Sequence, residues 1–155
     1  MYKKLSYDEL VELSQTRRLS LPVDTPIFLE AKEAGYPFVV NTNNIPATVD
    51  ILVPDTSISD NVLGYLICVH EGWASVYVAR EYQGDILDGA SVCDLSMDDN
   101  LLTAIAKAKA SINVCPVCGK DVPYKDQRGY SFAGRCCQEC LPKMKRNYEQ
   151  PGWYK

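Results

Sequence analysis

The chain opens on a helix signal. Ser6-Tyr7-Asp8-Glu9 fits a capping box, with Ser6 as N-cap and Glu9 reaching back to the Ser6 amide. Leu5 and Leu10 flank it as a hydrophobic staple. Leu10, Leu13 and Val11 give the helix an apolar face up to Arg17-Arg18, cations that suit a helix C-terminus. Thr25-Pro26 opens a second short helix, because proline is tolerated in the first helical turn and Gly35, followed by Pro37, suits the stop. Ile27-Phe28-Leu29 taken alone would also suit a strand. From Pro37 the apolar period falls to two. Phe38-Val39-Val40 precedes a turn cluster at 41–44, and Val49, Ile51 and Val53 alternate until Pro54.

Leu63–Val69 and Trp73–Ala79 flank His70-Glu71-Gly72 and read as an antiparallel hairpin with a tight turn. In the second arm Trp73, Ser75, Tyr77 and Ala79 share one face, and Ala74, Val76 and Val78 share the other. Both faces are partly apolar, which predicts a central hairpin with a helix on one side. Asp98 or Asp99 is expected to cap a last helix, with Leu101, Leu102, Ile105 and Ala108 or Ala106 as its apolar stripe. Lys107 and Lys109 sit near its C-terminal end. Residues 1–112 therefore read as an α+β domain, a small antiparallel sheet with flanking helices.

Beyond residue 112 the pattern changes from apolar periodicity to cysteine spacing. Cys115-Pro-Val-Cys118-Gly119 is followed, with eighteen residues between the pairs, by Cys137-Gln-Glu-Cys140. Each Cys-x-x-Cys pair makes a tight turn that presents two thiolates to one side, and two pairs close a tetrahedron about Zn²⁺. Gly119 suits the positive φ that such a turn needs after its second ligand. Cys136 competes with Cys137 for the third position, but the matched two-residue spacing favours Cys137. Leu141 to Glu149 can continue as a helix with Pro142 in its first turn, so the second pair lies at a helix N-terminus. Asp121–Tyr124 and Gly129–Ala133 can pair as a hairpin between the two cysteine pairs.

A knuckle, a hairpin and a helix carrying the last two ligands resembles a treble-clef zinc finger, and the spacing is similar to that of GATA-type fingers. That resemblance implies one structural Zn²⁺ held by Cys115, Cys118, Cys137 and Cys140 within a 113–155 module. Four thiolates leave no open coordination position, and residues 113–155 contain no histidine to act as a base.

Composition and charge then narrow the classes. With 46% hydrophobic and 23% charged residues in 155, the chain is globular instead of disordered or fibrous. Its net charge of −4 averages two unlike segments, −8 over residues 1–112 and +4 over residues 113–155, so it excludes only a uniformly basic coat. Asp85, Asp88, Asp94, Asp98 and Asp99 concentrate the acid, mostly in expected loop and helix-start positions. The first residues lack a signal-peptide core, and the run from Val62 to Val69 is too short to span a bilayer. A cytoplasmic protein without membrane contact is expected, and in a reducing compartment clustered cysteines favour metal over disulfides.

A catalytic set is not evident. Cys68 and His70 could share one side of a strand, but no third group or oxyanion feature accompanies them, and Cys68 and Cys93 read as small core residues. The chain is expected to be non-enzymatic. Two binding readings remain. Lys143, Lys145, Arg146, Arg128 and Arg135, interleaved with Tyr124, Tyr130 and Phe132, could meet nucleic acid, although aromatic residues in so small a module are also needed as its core. Trp153 and Tyr154 in the aromatic tail could anchor a protein partner, and this second reading is preferred. Small chains with a C-terminal four-cysteine finger and no catalytic set are also similar, in a general way, to accessory proteins of bacteriophages and mobile elements. That likeness implies an inhibitor or adaptor; the alternative is a nucleic-acid-binding finger with an acidic regulatory domain. The oligomeric state is not legible.

Overall fold

The structure, a computed structural model, describes residues 4–16, 19–20, 26–41, 47–70, 73–96, 98–130 and 134–149. It is an α+β fold whose C-terminal part carries the cysteine cluster. The elements follow in order as β1 (Lys4–Leu5), α1 (Tyr7–Thr16), β2 (Leu19–Ser20), α2 (Pro26–Ala34), β3 (Phe38–Asn41), β4 (Ala47–Pro54) and β5 (Val62–His70). Then come β6 (Trp73–Tyr82), β7 (Asp85–Leu95), α3 (Leu101–Ile112), β8 (Arg128–Gly129), β9 (Arg135–Cys136) and α4 (Leu141–Glu149). The main sheet runs β1-β3-β4-β5-β6-β7, antiparallel throughout, with β2 added in parallel to the start of β4. Among the described residues, no helix is long and apolar enough to cross a membrane.

Local chemistry sets the helix ends. The Ser6 and Glu9 capping box forms in both directions, at 3.4 and 3.3 Å, and Leu5 and Leu10 are both buried beside it. The second helix wins over the strand reading because Gly35, at φ +74°, ends it. The Gly35 N–H donates to Lys32 O and the Tyr36 N–H to Ala31 O, the two bonds of a Schellman stop. The cap of α3 is neither Asp98 nor Asp99 but Asn100, whose side chain accepts the Thr103 N–H at 2.7 Å. Asp99 instead accepts the Ser96 N–H and pairs with Lys107 at 2.7 Å. The stripe of α3 is Leu101, Ala104, Ala108 and Ile112, with Ile105 partly buried, and Leu102 is left 78% exposed. Leu102 lies one residue, about 100°, away from that stripe, which is why it faces water.

Alternation sorts the sheet into two faces as the sequence predicts for β6. Phe38, Ile51, Val53, Tyr65, Ile67, Val76 and Val78 share one buried cluster with Leu10 of α1, Phe28 of α2 and the α3 stripe. Val39, Leu52, Leu66, Cys68, Ala79 and Ile86 form a second cluster on the opposite face. His70 pairs in register with Trp73, so the first strand includes His70; Glu71 and Gly72 lie outside the described residues.

The eleven-residue β7 is the element that sequence reading missed. Two register shifts against β6 break its period of two, and Asp85, Asp88, Gly89 and Asp94 are poor strand formers. The acids expected in loops are therefore largely strand residues. Gln83 and Gly84, at φ +51° and +85°, make the two-residue turn from β6 that restores the pairing at Tyr82 and Asp85.

Among the described residues, Asp50 is the one buried carboxylate. It sits opposite Cys68 across β4 and β5 on the second face. Burial pushes its pKa up to about 7, opposed by a hydrogen bond from the Cys68 thiol and aided by the charge of Asp88. The folded state thus favours the neutral acid. The stability Asp50 contributes is complete below the ordinary carboxylate pKa and declines as pH rises towards 7. Asp50→Asn should match wild type in urea unfolding at pH 4. It should be more stable at pH 8 by roughly a few kcal/mol; an equal difference at both pH values would contradict a buried ionisation.

Gly64 tests the backbone. A Cβ there would lie 2.0 Å from Val53 O and 2.7 Å from Asp55 N, whereas one at Gly35 would meet nothing within 4 Å. Gly64→Ala should cost more than about 4 kcal/mol or prevent folding, and Gly35→Ala about 1 kcal/mol, both read from denaturant midpoints.

Candidate metal centre

The centre is assembled from two short turns joined to the end of α3. Asn113 caps that helix, its side-chain amide donating to Lys109 O at 3.0 Å, and its carbonyl accepts the Val122 N–H at 3.1 Å. Between them the chain makes a knuckle. The Cys115 N–H donates to Lys120 O at 2.8 Å, and the Gly119 N–H donates to Cys115 O at 2.9 Å. Gly119 adopts φ +75°, as its place after the second cysteine requires. The second pair sits on a turn in which Cys140 and Leu141 N–H both donate to Cys137 O, leading into α4 with Pro142 in its first turn.

The hairpin between the pairs differs from the expected one. Asp121 makes an isolated bridge with Val114, Tyr124–Asp126 forms a 3₁₀ turn, and the pairing is Arg128 with Cys136 and Gly129 with Arg135. The cause is Gln127. Its buried side-chain nitrogen lies 2.9–3.3 Å from the carbonyls of Ile112, Val114 and Val122, which draws this stretch under the knuckle and out of the hairpin.

The sulfur atoms of Cys115, Cys118, Cys137 and Cys140 all lie within 4.8 Å of one another. A tetrahedral site with bonds of about 2.3 Å requires sulfurs about 3.8 Å apart. The Cys118 and Cys137 sulfurs are 3.7 Å apart. The four residues can therefore hold one metal ion. Cys137 supplies the third sulfur, and its neighbour Cys136 is buried in the small cluster of Cys115, Cys137 and partly buried Val122, Tyr130, Leu141 and Met144.

The electrostatics suit a cation. Burial opposes ionisation of Cys115, but N–H groups of Cys118, Cys137 and Val117, with the Cys118 thiol, bring its pKa down to about 6. The Cys137 N–H lies 3.3 Å from the Cys115 sulfur. Cys140 is pushed the other way, to about 12, first by its hydrogen bond with Cys137 and then by burial and the remaining sulfurs. One thiolate forms readily at Cys115 while Cys118 and Cys140 are held towards the thiol, so full ionisation calls for a metal among them.

The other predicted contact residues part company. Lys143, Lys145 and Arg146 are exposed on α4, and Arg128 is exposed on β8. Arg135 is not among them. It is 8% exposed, donates to Ser91 O on β7 at 3.3 Å and lies 5.2 Å from the centre of the Tyr124 ring. Tyr124, 6% exposed, belongs to the main core of the body. Trp153, Tyr154 and Phe132 lie outside the described residues. In the body, burial and the neighbouring Asp50 push the Cys68 thiol pKa up, which keeps it protonated, and the His70 side chain lies outside the described residues. Sequence reading missed Gln127 altogether; a glutamine bonded to backbone carbonyls has no spacing signal. Tyr124 was legible as an aromatic between cations or as part of the module's own small core, not as part of the core of the body.

Substitution separates the adjacent cysteines. Cys137→Ser should lower metal affinity at least tenfold in a chelator competition, and Cys136→Ser should retain binding while destabilising the small core by about 1 kcal/mol. Loss of binding in Cys136→Ser alone would move the third ligand.

Searches against protein-family models, curated proteins and solved structures found no match to this chain.

Proposed function

We propose that this chain is a non-enzymatic zinc protein that acts by protein–protein contact, as an inhibitor or adaptor. The observation that carries the metal half of the reading is the convergence of four cysteine sulfurs within 4.8 Å. An all-sulfur set favours Zn²⁺ and leaves no coordination position for substrate, so the metal is structural. The order of knuckle, short hairpin and helix supports a treble-clef arrangement. The general likeness to bacteriophage and mobile-element accessory proteins accords with a small chain of this design.

The partner half rests on exposed apolar side chains. Leu29 on α2 and Leu102 on α3 are 47% and 78% exposed, and a bond from the Leu101 N–H to Glu30 joins the two helices beside them. Trp73 and Val117 are exposed as well. With the aromatic tail at Trp153 and Tyr154, these offer anchors that a second protein can desolvate. The outward cations of α4 favour the second reading, a nucleic-acid-binding finger with an acidic regulatory body.

Metal analysis of reduced, purified protein should return one zinc per chain, and a value near zero would overturn the zinc reading. Protein contact predicts no retention of DNA or RNA at about 50 mM salt. Binding there that weakens steeply with salt, and is lost when Lys143, Lys145 and Arg146 become alanine together, would replace it with the second reading. A partner recovered with wild type should be lost at least tenfold with Trp153→Ala.

A further inference from the structure

Arg135 is a cation without a visible anion. Its side chain is buried, its Nε has no hydrogen-bond partner, and among the described residues no carboxylate lies within 4.0 Å of it. The ion pairs found among those residues, Lys107 with Asp99 and Lys120 with Glu139, are elsewhere. A second guanidinium, on the exposed Arg80, adds positive charge beside Arg135. Arg80 lies 5.8 Å from the same Tyr124 ring and donates a hydrogen bond to its hydroxyl. Buried positive charge like that of Arg135 is strongly unfavourable unless negative charge lies close by.

The surroundings show where that charge can come from. Arg135 and Cys115 line one cleft of about 500 Å³ with Ser91, Ser111, Pro116 and Gly119, and the lining has no acidic residue. Arg135 also directly precedes Cys136 on β9 and stands two residues before the ligand Cys137, so the chain keeps it close to the four-sulfur centre. Four thiolates around Zn²⁺ carry a net charge of about −2. No other described group near Arg135 offers a comparable charge.

We propose that Arg135 is the counter-cation of the loaded metal centre and the positioning residue through which metal binding seats the C-terminal module on the body. One end of the device is electrostatic, the attraction between the guanidinium and the tetrathiolate. The other is mechanical, since the same guanidinium holds Ser91 O of β7 and stacks on Tyr124 in the body core. Loading the centre favours the seated arrangement, and by reciprocity the seated arrangement tightens metal binding. The proposal rests on the zinc reading and extends it to the rest of the fold.

The test compares full-length wild type with Arg135→Met, Arg135→Lys and Lys145→Met, the last removing an exposed cation from the same module. Zinc affinity is read by competition with a chromophoric chelator, and seating by hydrogen exchange along β7 and the last turn of α3. Arg135→Met keeps the bulk and loses the charge; it should bind zinc about 10–100-fold more weakly and exchange faster at both places even when loaded. Arg135→Lys should recover most of the affinity, and Lys145→Met should stay within about twofold of wild type, as expected for an exposed charge. Unchanged affinity in Arg135→Met, or a lysine variant as weak as the methionine one, would overturn the proposal and leave the zinc reading standing. A wild type that takes up no zinc overturns both.

Discussion

The arrangement of the C-terminal module depends on one buried ring. With only a few short elements around its cysteines, the module has little apolar surface of its own, yet Tyr124 is counted among the body's core with Ile112, Ala108 and Tyr65. Burying an aromatic of this size stabilises by about 1.5–3 kcal/mol. Its hydroxyl must keep a partner, and Arg80 on β6 supplies one. Gly89 across the β6–β7 pair leaves room, since a Cβ there would approach Arg80 Nε to 3.2 Å. The 3₁₀ turn that presents Tyr124 is in turn held by Gln127, which bonds backbone on both sides of the knuckle. Metal-binding turns and sheet are thus linked through three polar side chains and one ring.

Charge is distributed to match. Asp88 and Asp94 on β7 and Asp98 before α3 are exposed to solvent, while the buried carboxyl at Asp50 is held towards its neutral form. Around the cysteines the same physics works in the opposite direction. Backbone N–H groups favour one thiolate at Cys115, and the hydrogen bond with Cys137, with burial, holds Cys140 towards its thiol. A cation is therefore the natural complement of the four sulfurs, and a nearby guanidinium the natural complement of the charge that remains.

Much of this was legible from residues alone. The capping box at Ser6, the glycine stop at Gly35 and the alternation through β4, β5 and β6 are local signals, each answered by bonds or burial within a few residues or across one hairpin. The cysteine spacing was legible for the same reason: a two-residue gap dictates a turn whatever surrounds it. The failures lie where neighbours decide. β7 was invisible because its pairing partner tolerates bulges that erase the period of two. Asn100 displaced Asp99 as the α3 cap because Asp99 had Ser96 and Lys107 to satisfy.

The sequence by itself determined the fold class, the main apolar face and the four candidate ligands, since each follows from short-range periodicity or spacing. Only the tertiary structure decided the fate of Arg135 and Tyr124. Arg135 read as part of a basic surface and Tyr124 as surface or as the module's own core, yet both are buried against the body. A side chain's neighbours across 44 residues of chain have no local code, and the preference of an arginine for water or for the interior depends on the ring and charges that packing brings to it.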